Sequence, residues 1–239
     1  MRLVKFIIIM ALFASMVYAV KNFVPIKHVR IQGTFTQISK DELKTLLEPL
    51  VKVSFFDANV QGIKDVLFSL NWVDSAMVNR VWPDTLAIKI NEKTPYVRWG
   101  KNALISTHGL IITPEDITPF MNLPILYGPE GQEMKSLEIM KGVNTALVDQ
   151  SMQIAEFSIN DRWAWKIKLS SGLEILLGRS EQLKKLQRFI KTIDVLGPEQ
   201  LNAMSVVDLR YPNGYAVSWK LDAQPIDWKT LPAAQTVNK

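Results

Sequence analysis

The most informative absences from this 239-residue sequence are those of cysteine and, almost, of histidine. Without cysteine, a disulfide scaffold and thiol catalysis are both excluded. Only His28 and His108 remain as soft metal ligands. His28 falls in a predicted strand among charged neighbours and His108 beside a turn glycine, which favours surface positions for both. We therefore predict no metal site.

The sequence motifs of common enzymes are also missing. The chain has no G-x-S-x-G elbow, no H-E-x-x-H helix, no phosphate-binding P-loop and no dinucleotide fingerprint. Its adjacent carboxylates, Asp41-Glu42 and Glu115-Asp116, fall at a helix start or in a loop, where capping or solvation explains them. We predict a protein that is not an enzyme, with no catalytic residue, no cofactor and no small-molecule substrate.

The charge balance is mildly basic, with a net charge of +5. The basic residues are dispersed and accompany no nucleic-acid-binding motif, so we predict no nucleic-acid partner. A hydrophobic content of 48% with 21% charged residues is typical of a globular chain.

The N-terminus carries the longest apolar run, from Phe6 to Val20, preceded by Arg2 and Lys5. A membrane-spanning helix needs about 20 apolar residues, a length reached when the flanking residues are counted. We predict a short cytoplasmic end at 1–5 and an uncleaved anchor at 6–23, with the remainder outside the cytoplasm under the positive-inside rule. A signal peptide cleaved after "VYA" is the alternative.

The next segment predicts one strand and two helices. The strand runs from Ile26 to Gly33, and Ser39 with Glu42 forms a capping box that opens the first helix. The second helix runs from about Ala58 to Leu70. The apolar residues that we expect to face inward are Leu43, Leu46, Leu47 and Leu50 in the first helix, and Val60, Ile63, Val66, Leu67 and Leu70 in the second.

The stretch "NWVDSAMVNRVWPDTLAIKINEKTP", Asn71 to Pro95, predicts a hairpin. Val73 to Trp82 forms one strand, Pro83-Asp84 turns the chain, and the alternating residues after it form a second, half-buried strand. The order is β-α-α-β-β, an α+β domain at 24–94 with a three-stranded sheet and two helices on one face.

Shorter strands follow and predict a mixed β domain with helices at 95–220, then a flexible tail at 221–239. Hairpin turns are expected at Gly100-Lys101-Asn102 and His108-Gly109. Other predicted elements are a strand in Leu123–Gly131, a helix at about 134–152, a strand with Trp163, Trp165, Ile167 and Leu169 on one face, a turn at Ser171-Gly172 and a strand in "LEILLG". We expect the tryptophan-bearing strands of both domains to be core.

A further helix is predicted from Ser180 to Leu196, ended by Gly197-Pro198. Its inward residues are predicted to be Leu183, Leu186, Phe189, Ile190 and Ile193, and its outward, solvated residues Lys184, Lys185, Arg188 and Lys191. The segment "SVVDLRYPNGYAVSW" then predicts two strands around Asn213-Gly214, a strong hairpin signal.

Together these segments resemble a POTRA domain followed by the β domain of the FtsQ/DivIB family. The family pattern is matched by Trp72-Val73, Ala76, Val78, Arg80, Trp82-Pro83-Asp84 and Pro95, and by "LPILYGPEG" and "VDLRYPNGYAVSW". The cytoplasmic end is shorter than in related proteins, and the basic residues of "NDRWAWKIKL" are altered.

The resemblance implies a single-pass inner-membrane protein with a cytoplasmic N-terminus and a periplasmic bulk, recruited to the division septum. It implies a scaffold that binds FtsB and FtsL, contacts other divisome proteins, and helps to assemble and regulate septal cell-wall synthesis. Trp72, Arg80, Trp82, Pro83 and Asp84 would then be structural POTRA residues.

The last strand, from Tyr215 to Trp219, is the predicted partner site, because an exposed strand edge offers unpaired backbone groups for strand addition. The predicted FtsB-binding residues are Arg210, Tyr211, Asn213, Gly214, Tyr215, Val217 and Trp219. The alternative is that Tyr211 and Trp219 only cap the domain's own core.

Two other functions compete with this interpretation. A POTRA scaffold for outer-membrane protein assembly or secretion predicts tandem POTRA units or a C-terminal barrel, and an anchored hydrolase predicts a reactive cluster. The sequence shows none of these features.

Overall fold

The computed structural model describes residues 2–212, 214–221 and 223, and in the first helix the side chains of residues 5–15. Two compact units divide the chain, one within Met1–Thr94 and the other within Pro95–Lys239. Each unit has its own sheet and its own apolar core.

The first helix, α1 (Arg2–Phe23), covers the predicted anchor. Its described apolar side chains are exposed, and Phe6, Ile9 and Leu12 each expose 64–65% of their surface. In the part of the chain that the structure describes, no helix combines the length and apolarity needed to cross a membrane.

The rest of the first unit has the predicted β-α-α-β-β order. Its elements are β1 (His28–Gln32), α2 (Lys40–Val51), α3 (Val60–Phe68), β2 (Val73–Val81) and β3 (Thr85–Glu92). The strand order is β1-β3-β2, with β1 parallel and β2 antiparallel to β3. Ser39 caps α2, its hydroxyl accepting from the Asp41 N–H at 3.3 Å.

One face of this sheet is buried against both helices. Leu86, Ile88 and Ile90 alternate along β3 and pack in a single cluster with Leu47 and Ile63. The intervening positions of β3 face away from this cluster, which is the period-two pattern of a half-buried strand. The predicted placement of α2 and α3 on one face is confirmed.

The second unit is a nine-stranded mixed sheet with the order β12-β11-β10-β9-β8-β7-β4-β5-β6. Its strands are β4 (Pro95–Trp99), β5 (Ala103–Ser106), β6 (Ile111–Ile112), β7 (Ile125–Tyr127), β8 (Ile154–Ile159), β9 (Trp165–Leu169), β10 (Glu174–Gly178), β11 (Met204–Asp208) and β12 (Ala216–Trp219). Its helices are α4 (Glu133–Val148), α5 (Gln182–Leu196), α6 (Pro198–Ala203) and a 3₁₀ turn at Thr118–Phe120.

Several local predictions were wrong. Trp82 was expected in the core but lies in the turn after β2 with 79% of its surface exposed. Helix α4 ends at Val148 rather than near residue 152, and α6 was not predicted. In α5 the expected orientations of Leu183 and Lys185 are exchanged, because Leu183 is 47% exposed and Lys185 only 7%.

Candidate functional site: the terminal strand and its loop

Strand β12 is the terminal strand of the nine-stranded sheet and pairs with β11 in antiparallel register. Asp208 lies opposite Ala216, and Val207 opposite Val217. The Lys220 N–H donates to the Ala203 carbonyl at 2.9 Å, beyond the end of β12.

This contact fixes which backbone groups of β12 face outward. In an antiparallel pair, the backbone N–H and C=O groups of successive residues alternate between pointing toward the partner strand and pointing away from it. The Ser205 hydroxyl donates to the Ser218 carbonyl at 3.0 Å, so Ser218, like Lys220, faces β11. The backbone N–H and C=O of Val217 therefore point away from β11, on the side where the described residues place no further strand.

β11 ends at Asp208 and β12 begins at Ala216, so the two strands predicted around Asn213-Gly214 form an antiparallel pair, joined by a loop longer than a two-residue turn. Tyr215 belongs to this loop rather than to the strand, and Asn213 lies outside the described residues. A two-residue turn sets strand register by its own geometry, whereas a longer loop needs contacts with other elements to hold it.

The first such contact is an ion pair between the loop and the last residue of β11. The Arg210 guanidinium binds both oxygens of Asp208, with Nε donating to Oδ1 at 2.8 Å and Nη2 donating to Oδ2 at 2.6 Å. These side-chain hydrogen bonds lower the pKa of the Asp208 carboxyl, against the opposing effect of its burial. The same bonds raise the pKa of Arg210.

Helix α5 supplies the other contacts, from one face. Lys185 Nζ donates to the Arg210 carbonyl at 3.4 Å, and Arg188 Nη1 donates to the Pro212 carbonyl at 3.0 Å. The Phe189 ring packs edge-on against Tyr215, with 5.7 Å between centroids. Positions three and four apart share a helix face, which lets α5 hold the loop at three points.

Apart from Asn213, the predicted partner residues lie in β12 or in the loop before it, but in different environments. Tyr211 exposes 55% of its surface, whereas Tyr215, Val217 and Trp219 are partly buried against the core. Trp219 therefore covers the core, as the alternative expected, whereas Tyr211 projects into solvent, and partner binding by either residue stays a prediction.

The predicted POTRA residues are placed separately, around the β2–β3 hairpin. Trp72 packs against the core of the first unit. Arg80 Nη2 donates to the Ala58 carbonyl at 2.6 Å, which ties β2 to the loop before α3. Around the exposed Trp82 and Pro83 corner, the Asp84 carboxylate accepts from the Thr85 hydroxyl at 3.3 Å. These contacts fit a structural role for Arg80 and Asp84.

One structural residue escaped the sequence reasoning. The Glu92 carboxylate, at the end of β3, accepts from the backbone N–H groups of Thr36, Gln37 and Ile38 at 2.8–3.2 Å. These donors lie 54 to 56 residues away in the chain, so no local pattern reveals them. In the described ranges, no group of three or more metal-ligating side chains occurs.

The first unit has the β-α-α-β-β order with β1 parallel to β3, which is the arrangement of a POTRA domain. A second unit that ends in strand β12 follows it, so the class of protein is a POTRA-containing one. Residues 24–93 match the FtsQ-type POTRA domain family, and residues 97–210 match the family described as cell division protein FtsQ/DivIB, C-terminal.

Curated relatives agree with these matches. A cell division protein FtsQ of Methylomonas methanica is 52% identical over 207 residues, which cover 87% of this chain and 83% of the relative. FtsQ of Coxiella burnetii is 31% identical over 82% of this chain and 81% of its own, and FtsQ of Xanthomonas campestris 28% over 93% and 82%. The chain belongs to the FtsQ/DivIB family of cell division proteins.

Proposed function

We propose that this protein is a non-enzymatic scaffold of the divisome that binds FtsB and FtsL through its second unit. FtsB adds a strand to β12, and the assembly regulates septal cell-wall synthesis. The observation that carries this proposal is the outward-facing backbone of Val217 in β12, together with the exposed Tyr211 in the loop before this strand. Strand addition takes its affinity from main-chain bonds and its specificity from the flanking side chains.

Family membership supports the division role over the outer-membrane alternative, because the POTRA match is of the FtsQ type. Arg210 and Tyr211 are residue types enriched at interface hot spots. The contacts from α5 hold their loop in one arrangement, which lowers the ordering cost of binding.

The test measures binding of the purified FtsB periplasmic segment to the full chain. Tyr211→Ala should weaken binding about thirtyfold, the equivalent of about 2 kcal/mol for an interface aromatic. Val217→Pro removes the outward N–H and should also weaken binding, whereas Val217→Thr keeps that donor and is the matched control.

Trp219→Ala should weaken binding as well, and circular dichroism must first show that it is folded because the ring covers core. Trp82→Ala removes an exposed aromatic from the other unit and should leave FtsB binding unchanged. Parental affinity in folded Tyr211→Ala, Val217→Pro and Trp219→Ala together would show that β12 is not the binding edge.

We also propose the placement of the chain in the cell envelope. Residues 6–23 anchor it in the inner membrane, 24–94 form the POTRA domain, 95–220 the β domain and 221–239 a tail. The apolar run from Phe6 to Val20 and the exposed side chains of residues 6–15 support the anchor. Full-length protein should stay in membranes after an alkaline carbonate wash, and a soluble species starting near Val20 would refute this.

A further inference from the structure

A basic groove lies along α5, beside the loop that precedes β12. It has a volume of about 550 Å³ and is lined by α5 side chains, by Glu181 just before this helix and by Pro212. The charged residues of its wall are Glu181, Lys184, Lys185, Arg188 and Lys191.

The charges of this groove are unbalanced. Among the described residues that line it, Glu181 is the one carboxylate, and it pairs with Lys184 at 3.1 Å. The remaining cations of the wall are Lys185, Arg188 and Lys191. Among the described lining residues, no second carboxylate balances their charge. A cleft lined by one sign of charge concentrates ligands of the opposite sign.

Arg188 lacks acceptors for part of its guanidinium. Nη1 is occupied by the Pro212 carbonyl, but Nε and Nη2 are buried and have no hydrogen-bond partner in the part of the chain that the structure describes. Buried donors of a charged group are unfavourable without acceptors, and nearly all such groups in proteins find one. A carboxylate fits because its two oxygens match a pair of guanidinium N–H groups. Seating it requires rotamer changes, which are common at interfaces.

We propose that this groove binds a carboxylate of an acidic stretch in the same partner segment that adds a strand to β12. The inference rests on the proposed function, since it takes β12 to be the binding edge. Pro212 lies in the wall of the groove and in the loop that leads to Ala216, the first residue of β12. A segment paired along β12 that continues past Ala216 therefore runs toward the loop that supplies one wall of the groove.

The experiment measures affinity of the full chain for the FtsB periplasmic segment at about 50 mM and about 300 mM salt. Lys191→Glu places a like charge in the path of the carboxylate and should weaken binding about tenfold at the lower salt concentration. Its affinity should also change less with salt than that of the parent. Lys101→Glu, an exposed lysine in the β4–β5 turn, is the charge-matched control and should have a smaller effect.

Arg188→Lys separates charge from geometry, because lysine keeps the charge and a donor for the Pro212 carbonyl but loses the planar pair of donors. It should weaken binding about tenfold with the fold intact. Parental affinity and salt dependence in both groove variants, with Tyr211→Ala still weakened, would overturn this inference alone. Parental affinity in Tyr211→Ala, Val217→Pro and Trp219→Ala would overturn the proposed function.

The chain itself could fill the groove instead. A chain shortened to end at Ala223 distinguishes this case. Tighter FtsB binding by the shortened chain, together with loss of the Lys191→Glu effect, would assign the groove to the chain's own C-terminal stretch and overturn the inference.

Discussion

The two units hold their critical loops with charges of opposite sign. In the first unit, the Glu92 carboxylate accepts from three successive backbone N–H groups at residues 36–38. In the second, Lys185 and Arg188 donate to the backbone carbonyls of residues 210 and 212. Each arrangement satisfies backbone groups that a loop leaves without ladder partners.

The difference lies in where the charged group sits. Glu92 is the last residue of strand β3, whereas Lys185 and Arg188 belong to helix α5, which covers a sheet. The first contact joins parts of the POTRA fold to each other. The second fixes the loop that carries Arg210 and Tyr211, so we infer that α5 prepares the proposed binding edge as well as covering the core.

Among the polar contacts that hold these loops, the largest effect on stability is expected for Glu92→Gln. The amide loses the negative charge and one of the two acceptor oxygens that serve the Thr36–Ile38 backbone. Because hydrogen bonds to charged groups are worth more than neutral ones, the free energy of unfolding should fall by about 1.5 kcal/mol. Urea denaturation of the full chain measures it.

Hydrogen exchange locates that loss. The amides of Gln37 and Ile38 should exchange faster in Glu92→Gln, while β12 amides remain as in the parent. Glu115→Gln, at an exposed glutamate, is the control and should change neither quantity. Unchanged stability and exchange in Glu92→Gln would show that the carboxylate does not hold this loop.

The sequence predicted the first unit well because its signals are local. The alternation of β3, the Ser39 cap and the apolar faces of α2 and α3 are each visible within one element. The prediction was wrong where a contact with a residue far away in the sequence determines the orientation of a side chain. Leu183 and Lys185 were assigned by hydrophobicity, yet the Arg210 carbonyl, 25 residues from Lys185, accepts its ammonium in a buried position.

β12 ends the sheet formed by the described residues, as predicted, but the connection before it is longer than a two-residue turn. Asn-Gly is a strong signal for a tight turn, and here the contacts from α5 support a longer connection. No sequence pattern indicated the role of Glu92, because the backbone N–H groups that donate to its carboxylate lie in a loop far away in the sequence.

A smaller effect is expected at the Asp208–Arg210 pair and depends on pH. Since the pKa of Asp208 is lowered in the folded state, its contribution to stability is present above the unfolded value, near 4. It is lost as pH falls through the lower, folded value. Asp208→Asn should therefore reduce the thermal midpoint slightly at pH 7 and show a weaker decline below pH 4 than the parent.

The exposure of the Arg210 side chain limits the size of this effect, because solvent and salt screen exposed ion pairs. Thermal midpoints of parent and Asp208→Asn, compared from pH 7 to pH 2.5, give the measurement. Parallel pH profiles would contradict a lowered pKa for Asp208.

The smallest effect is expected for Trp82→Ala, in the corner of the β2–β3 hairpin. A buried tryptophan replaced by alanine typically costs 3–5 kcal/mol, about the loss that a core position for Trp82 would imply. Because 79% of this ring is exposed, the free energy of unfolding should change by no more than about 0.5 kcal/mol. Leu86→Ala is the matched control, since Leu86 lies in the same hairpin and is fully buried.

Urea denaturation of both variants measures the loss in free energy of unfolding at each position, so that the two losses can be compared directly. Leu86→Ala should lose about 3 kcal/mol, so that a small change in Trp82→Ala reflects exposure and not an insensitive assay. A loss in Trp82→Ala comparable to that in Leu86→Ala would mean that the ring packs against this chain. A near-zero loss leaves the ring exposed in a hairpin that other contacts tie to its own unit: Arg80 donates to the Ala58 carbonyl, and the Asp84 carbonyl accepts from the Lys27 N–H at 2.9 Å.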